Sequence, residues 1–101
     1  VKPLKEIRGI NAILLMSQAG NYGGYAVTDV LCGDEVPSGR LTTTWGINYS
    51  DYPCAATFSH CNGDIDDEFY NEGVYVGYRY FDTFNVTPQY PFGYGLGYTT
   101  F

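Results

Sequence analysis

Carboxylic acids are the side chains in this sequence with the most obvious capacity for chemistry. Eleven Asp and Glu stand against five Lys and Arg and a single histidine. Residues 64–68, Asp-Ile-Asp-Asp-Glu, concentrate four of the acids, but the D-x-[DN]-x-[DN]-G order of a calcium loop is absent. The segment is therefore interpreted as a solvated acidic loop, and no metal site is predicted. His60 has no Ser or Cys nucleophile in a recognisable triad motif.

Three cysteines and two glycosylation sequons complete the set of reactive side chains. Cys32, Cys54 and Cys61 lack the paired C-x-x-C spacing of a structural zinc site. Cys54 and Cys61 could bridge a short loop in an oxidising compartment, and otherwise all three are small buried hydrophobes or free thiols. The sequons at Asn48 and Asn85 would matter only in a secreted eukaryotic protein.

Charge and hydropathy exclude two classes of partner. The net charge is −6, and residues 1–8 hold three of the five cations and one acid, so two cations face ten acids from residue 9 onward. No basic stripe can then bind a phosphate backbone, which excludes nucleic acid. The best apolar run, residues 12–16, is far short of the roughly 20 residues of a membrane-spanning helix.

The composition predicts a surface that other protein covers. Aromatic residues make up 18% of the chain, eleven of them tyrosine, and 13 Gly and 5 Pro favour turns. Only 16% of residues are charged, against roughly 25% in an ordinary soluble domain. With no signal peptide and a start inside a helix-like phrase, the chain is expected to be an excised piece of a longer protein. Charge and cysteines slightly favour a bacterial cytoplasm or periplasm over secretion.

The elements of residues 1–45 predict an α/β fold. Residues 2–8 resemble the end of a helix stopped at Gly9, and the apolar run 12–16 suits a strand buried on both faces of a sheet. A glycine-rich turn then leads to a helix over residues 24–32, with Asn21 as its N-cap and Gly33 as its left-handed C′ residue. Residues 40–45 are β-branched and aromatic, which predicts a further strand.

The glycines at positions 20, 23 and 24 do not predict a nucleotide site. They lack the G-x-G-x-x-G spacing, and no acid stands at a second strand end about 20 residues on. Close backbone packing in a tight turn explains them, and no cofactor is predicted.

The remaining chain divides into a long loop and an extended segment. Residues 46–71 have no hydrophobic period and form a predicted irregular loop. Residues 72–101, the strap, begin with a predicted extended stretch over residues 72–82 whose two faces are both apolar or aromatic, so both should be covered. Arg79 would then be buried along its stem beside a carboxylate partner. The tail from Tyr90 alternates aromatics with glycine and has too little bulk to stand alone.

Three blocks of the sequence resemble glycoside hydrolase family 3. Residues 23–41 and 44–45 resemble its "GG.A.AD.L.G..NPSGRLP.T" stretch, residues 70–82 its "Y.EG..VGYRYFD" signature, and residues 91–101 its "PFGYGLSYTTF" ending. The blocks occur in family order at family spacing. The departures are modest: Gly97 replaces a usual serine, Thr42 and Thr43 replace Pro and its neighbour, and residues 19–21 replace a Pro-Gly-Gln-like phrase.

The resemblance implies a fold and a place within it. Family members, among them β-glucosidases and β-xylosidases, pair a TIM-like barrel with an α/β sandwich domain, often followed by a fibronectin type III-like domain. The fold class expected here is α/β: the terminal portion of a three-layer sandwich, with residues 1–45 as a βα unit and following strand, and residues 72–101 as a strap toward the following domain. The segment would pack on the barrel and on the rest of the sandwich domain.

The resemblance also implies a retaining, exo-acting β-glycosidase that acts on terminal β-linked glucose or related sugars. Such enzymes need two carboxyl groups about 5–5.5 Å apart. The family's nucleophile is an aspartate of the barrel, and its acid/base is a glutamate in a loop upstream of the first block. By that alignment neither catalytic residue is expected in this segment.

A few residues remain candidates for a role at such a site. Glu72, set among aromatics, is the tempting catalytic candidate, but pairing with Arg79 or capping backbone N–H groups is the simpler interpretation. Tyr75 and Tyr78 are candidates for substrate binding by stacking on sugar rings, although most tyrosines are expected to wedge the strap between domains. Structural roles are assigned to the following residues: Arg79, Gly93, Gly95.

A different class of function also fits the composition. Tyrosine richness and acidity suit a non-catalytic carbohydrate-binding or docking module. A barrel with a catalytic aspartate in the same gene would decide for the enzyme.

Overall fold

The computed structural model describes residues 1–99, with nothing said of the His60 side chain. Three helices lie in this part: α1 (Lys2–Lys5), α2 (Gly23–Cys32) and α3 (Tyr78–Thr83). Two short 3₁₀ turns occupy Tyr49–Asp51 and Ser59–Asn62. No regular strand forms among residues 1–99, and no helix there is long and apolar enough to cross a membrane.

The chain divides into two compact units. The first comprises Val1–Gly39 with Gly95–Phe101, and the second comprises Arg40–Tyr94. The last two residues of the predicted strap, Thr100 and Phe101, lie outside the described residues.

Helix α2 confirms the helix expected in the first unit. Its end is a Schellman motif: Gly33 adopts φ +85°, its N–H donates to Val30, and the N–H of Asp34 donates to Asp29 at 2.9 Å. The expected N-cap is wrong by one residue, because Tyr22 occupies that position without a side-chain cap. The hydroxyl of Tyr98 donates to the Val30 carbonyl at 2.8 Å, so the tail of the chain is tied to the end of α2.

The strand expected over residues 12–16 is absent. A strand exists only through hydrogen bonds to a neighbouring strand, and the described residues supply none. The apolar run lies beside α2 instead and leaves Leu14 and Met16 exposed. A small apolar hollow of about 170 Å³ is lined by these residues and α2: Leu14, Met16, Ala19, Gly23, Ala26, Val27, Val30.

The strand expected over residues 40–45 is reduced to two points of pairing in the second unit. Trp45 forms an isolated antiparallel bridge with Tyr90. At the other end, Leu41 exchanges hydrogen bonds of 2.8 Å with Gly93 and Tyr94. The extended path and its antiparallel partner are therefore present without a continuous ladder.

Helix α3 replaces part of the extended stretch that the sequence predicts over residues 72–82. Both alternating faces of that stretch are apolar, so a period of two did not discriminate strand from helix there. Gly77, at φ +58°, turns the chain into α3. The Tyr80 ring then meets that of Phe84, four residues on and just beyond the helix, with centroids 5.0 Å apart. Phe81 is the single buried apolar side chain among residues 1–99, at 1% exposure.

Candidate functional site

The acidic loop is ordered by its own side chains. Asp64 accepts hydrogen bonds from the backbone of Asp66 at 2.9 Å and of Asp67 at 3.2 Å. These bonds lower the pKa of the Asp64 carboxyl below its usual 3.8, because they favour the charged form. The Asn62 side chain also bonds to this loop: its Oδ1 accepts from the Asp64 N–H, and its Nδ2 donates to the Asp67 carbonyl.

This arrangement is that of an acidic loop in contact with solvent. Asp64 uses its carboxylate to accept local backbone donors, and Asp66 and Asp67 are exposed. Within residues 1–99, no group of three or more His, Cys, Asp or Glu side chains is placed to hold an ion.

The two candidate substrate-binding tyrosines stand in two aromatic pairs around α3. Tyr75 meets Phe84 edge to face, with ring centroids 5.3 Å apart, and Tyr78 meets Phe92 at 5.5 Å with a tilt of 47°. Tyr75 and Tyr78 are 43% and 49% exposed. Each pair therefore holds a tyrosine ring in place and leaves part of that ring exposed to solvent. A ring that stacks on a sugar must be accessible in this way.

Glu72 lies at the start of the turn that carries Tyr75. Its carbonyl accepts from the Tyr75 N–H at 3.1 Å, and its side chain is half-buried. Within residues 1–99 its carboxylate makes no hydrogen bond or ion pair. The expected Glu72–Arg79 pair is absent from this part of the chain, and Arg79 is exposed rather than buried along its stem, because it lies on a helix and not on a covered strand.

The two glycines given structural roles lie on either side of the boundary at which the second unit ends. Gly93 adopts φ +79°, a conformation that only glycine enters without strain, and its N–H donates to Leu41 at 2.8 Å. Gly95 is half-buried and begins the tail that belongs to the first unit. The structural roles of Arg79, Gly93 and Gly95 remain predictions.

The cysteines do not form a redox pair in this structure. All three are free, with Cys32 and Cys61 exposed and Cys54 half-buried. Of the two alternatives, free thiols describe this structure, because none of the three cysteines is fully buried. The His60 side chain lies outside the description.

Phe84 and Phe92, the ring partners of the candidate tyrosines, were not expected from the sequence. Phe84 stands nine residues after Tyr75, a separation that no regular period joins, and only the turn into α3 brings the rings together. Thr44 was not expected either: it is 4% exposed, and its hydroxyl has no partner in the described part of the chain.

Comparison with known proteins finds one family along nearly the whole chain. The model of the glycosyl hydrolase family 3 C-terminal domain matches residues 1–98. Probable beta-glucosidase D of Aspergillus niger is 47% identical over 97 residues, which are 95% of this chain and 12% of that protein. The chain thus spans about an eighth of the curated relatives it matches.

Solved structures give the same result. Beta-glucosidase 3B from Thermotoga neapolitana, in complex with glucose, is 49% identical with a TM-score of 0.74, over 85% of this chain and 12% of that one. A beta-glucosidase from Kluyveromyces marxianus, also in complex with glucose, is 40% identical with a TM-score of 0.67, over 77% of this chain and 9% of that one.

Proposed function

This chain belongs to the glycosyl hydrolase family 3 C-terminal domain family, and we propose that it is a segment of a retaining, exo-acting β-glycosidase that hydrolyses terminal β-linked glucose. The match over residues 1–98 carries the proposal. The substrate class comes from relatives named β-glucosidases and from solved relatives that contain glucose. The segment's own role is structural, and it lines or closes the face of the active site.

The chemistry of a retaining glycosidase is supplied by residues outside this segment. One carboxylate attacks the anomeric carbon to form a glycosyl-enzyme, while a second carboxyl group about 5–5.5 Å away protonates the leaving oxygen and later activates water. Glu72 is not assigned either role, because the resemblance places both catalytic groups elsewhere.

The aromatic pairs on α3 suit a contribution to substrate binding. A sugar ring presents apolar C–H faces, which stack on a tyrosine or phenylalanine ring. Tyr75 and Tyr78 are braced by Phe84 and Phe92, so little side-chain freedom would be lost when a sugar binds. We assign these two tyrosines to the aglycone side of the site.

The distribution of apolar surface supports a structural role within a larger protein. Phe81 is the one buried apolar residue among residues 1–99, whereas the run around Leu14, Leu15 and Met16 is about half exposed. A domain of this size normally buries about two-thirds of its unfolded surface. The exposed apolar run would be covered by the rest of the sandwich domain and by the barrel.

Hydrolysis of an aryl β-glucoside tests whether the catalytic residues lie outside this segment. The 101-residue chain alone is expected not to hydrolyse this substrate, whereas the complete protein that contains it is expected to hydrolyse it. In the complete protein, Tyr78→Ala should raise KM for a cello-oligosaccharide, whereas the control Tyr25→Ala, at an exposed tyrosine of α2, should leave it unchanged.

Three results would contradict the proposal. Turnover by the isolated chain would mean that it holds the catalytic groups. Sugar binding without turnover by the complete protein would identify a carbohydrate-binding module instead. Equal KM values for the Tyr78 and Tyr25 variants would remove Tyr78 from the substrate site.

A further inference from the structure

The ring of Tyr78 has its aromatic partner in a different segment of the second unit. Tyr78 is the first residue of α3, and its ring meets that of Phe92, 14 positions later, at 5.5 Å. In the described part of the chain this is its one ring contact. Tyr75 differs, because its partner Phe84 directly follows α3 and itself contacts Tyr80 at 5.0 Å. The position of the Tyr78 ring therefore depends on what fixes Phe92.

Phe92 lies in a tight turn of a defined type. The Tyr94 N–H donates to the Pro91 carbonyl at 3.1 Å, which closes a four-residue turn with Phe92 and Gly93 at its centre. Gly93 has φ +79°, and Phe92 does not share this positive φ. A hydrogen-bonded turn with a positive φ only at its third residue is type II, and glycine is the preferred residue there. The turn thus sets the direction in which the Phe92 side chain leaves the backbone.

Backbone pairing holds this turn on both sides. Two hydrogen bonds of 2.8 Å join it to Leu41, one from the Gly93 N–H to the Leu41 carbonyl and one from the Leu41 N–H to the Tyr94 carbonyl. Just before the turn, Trp45 and Tyr90 form their antiparallel bridge. Because four residues separate the two points on each segment, both pairings belong to one antiparallel register. The turn is therefore fixed at its start and at its end.

A fixed Phe92 ring restrains the ring of Tyr78. The two rings are tilted by 47° at 5.5 Å, which lies within the range of attractive aromatic pairs. A tyrosine that rotates freely must lose that freedom when it stacks on a sugar, and ordering one such side chain lowers affinity by about two- to tenfold. Contact with a ring held by its own backbone removes most of this penalty before the sugar binds.

We propose that Phe92 is a positioning residue that orients Tyr78 for stacking on the aglycone sugar of a β-linked oligosaccharide. The inference rests on the proposed function, which assigns Tyr78 to the aglycone side of the site. Phe92 itself does not touch the sugar and acts through Tyr78 alone. Loss of its ring weakens binding of substrates whose aglycone is a sugar. It leaves the catalytic step unchanged, since the proposed function places the reacting carboxyl groups outside this segment.

Hydrolysis of two substrates by the complete protein tests the inference. Cellotriose places a sugar on the aglycone side, whereas methyl β-D-glucoside places only a methyl group there. Phe92→Leu removes the ring and keeps apolar bulk, and Phe92→Tyr restores a ring. Phe58→Leu is the matched control, because Phe58 has no ring contact among residues 1–99. Hydrolysis of methyl β-D-glucoside also shows that each variant folds.

Phe92→Leu is expected to raise KM for cellotriose by about two- to tenfold, the penalty of ordering a free ring. Its kcat and its KM for methyl β-D-glucoside should stay unchanged. Phe92→Tyr should restore the KM for cellotriose, and Phe58→Leu should not alter it. The double variant Tyr78→Ala with Phe92→Leu should have the KM of Tyr78→Ala alone, because a residue that acts only through another has no effect once that residue is gone.

A second pair of variants acts on the backbone of the turn instead of the ring. Gly93→Ala strains it, because alanine does not tolerate φ +79°, although the added Cβ would meet open space. Gly93→Asn is the matched change, since asparagine enters this region more readily. Gly93→Ala should therefore raise KM for cellotriose more than Gly93→Asn does.

Failure of this inference and failure of the proposed function give different results. An unchanged KM for cellotriose in Phe92→Leu, beside a raised KM in Tyr78→Ala, would overturn the positioning role and leave Tyr78 in the site. Equal rises for both substrates, or additive effects in the double variant, would overturn it as well, because Phe92 would then support the fold in general. If Tyr78→Ala itself leaves KM for cellotriose unchanged, the substrate-binding part of the proposed function fails, and this inference fails with it.

Discussion

Replacing Phe81 with alanine is expected to destabilise helix α3 more than any other single truncation in the second unit. Phe81 is 1% exposed, and its ring meets those of Tyr52 at 5.7 Å and Tyr80 at 5.9 Å, both edge to face. The contact with Tyr52 joins α3 to the loop that carries Tyr52, whereas Tyr80 lies in α3 itself. The substitution removes the ring from both contacts at once.

The stability lost in Phe81→Ala is estimated from the burial of the ring and from its two ring contacts. Burying a phenylalanine side chain contributes about 1.5–3 kcal/mol, and each edge-to-face contact adds about 0.5 kcal/mol at the lower end of its range. Together they give about 3 kcal/mol, at the low end of measured Phe-to-Ala losses. The low end is appropriate because Phe81 borders the open hollow that Asn85 also lines, where water can fill the space left behind.

Hydrogen exchange read by mass spectrometry can measure this loss in the complete protein. The amides of Phe81 and Phe84 bond to Gly77 and Tyr80, so their exchange reports the opening of α3. A loss of about 3 kcal/mol corresponds to about a hundredfold faster exchange. Phe58→Ala is the matched control, since Phe58 is 51% exposed and should change exchange in α3 by less than about threefold.

Unchanged exchange of the α3 amides in Phe81→Ala would refute the reasoning, because it would mean that the buried ring does not hold the helix. Equal acceleration by Phe58→Ala would refute it as well, since the effect would then not depend on burial.

Two further predictions concern the turns. Gly33→Ala should lower the free energy of unfolding by about 1–2 kcal/mol, because Gly33 adopts φ +85°. Gly24→Ala, inside helix α2 with open space at its Cβ, should instead raise it by about 0.5 kcal/mol. Thermal unfolding measures both changes, and shifts of the same sign would contradict the left-handed role of Gly33. The pKa of Asp64 is held below 3.8 by hydrogen bonds from Asp66 and Asp67, so its contribution to loop stability should be complete above that value and should disappear as the pH falls through the depressed pKa. An NMR pH titration of the Asp66 and Asp67 amides follows this, with Asp64→Asn as control, and a midpoint at or above 3.8 would contradict the sign.

Helix α2 shows how local signals suffice where they are unambiguous. A glycine directly after an apolar helical pattern predicts a left-handed residue that ends the helix. In the structure Gly33 has that conformation, and both Schellman hydrogen bonds are present. The acidic loop was also predictable as a loop, because its residues favour turns over any period. The Asn62–Asp64 hydrogen bonds within it were not, since an Asx side chain has several backbone donors within reach.

The extended stretch over residues 72–82 was predicted wrongly for a physical reason. Its aromatic residues satisfy an alternating pattern and a helical one equally well. Gly77 and the packing of Phe81 against Tyr52 decided for the helix, and the partner ring is 29 positions away in the sequence. The strand expected at residues 12–16 failed differently, because a strand requires a neighbour that a local pattern does not supply. The stretch at residues 40–45 has an antiparallel neighbour, but the two pair at only two points.

By itself, the sequence determined the family, the helix at Gly23–Cys32, the irregular loop and the excess of aromatic residues over charge. These depend on local residue order, which short-range sterics and composition govern. The tertiary structure alone decided which rings pair and that Arg79 is exposed. Those outcomes depend on contacts between distant residues, whose energies no local segment contains.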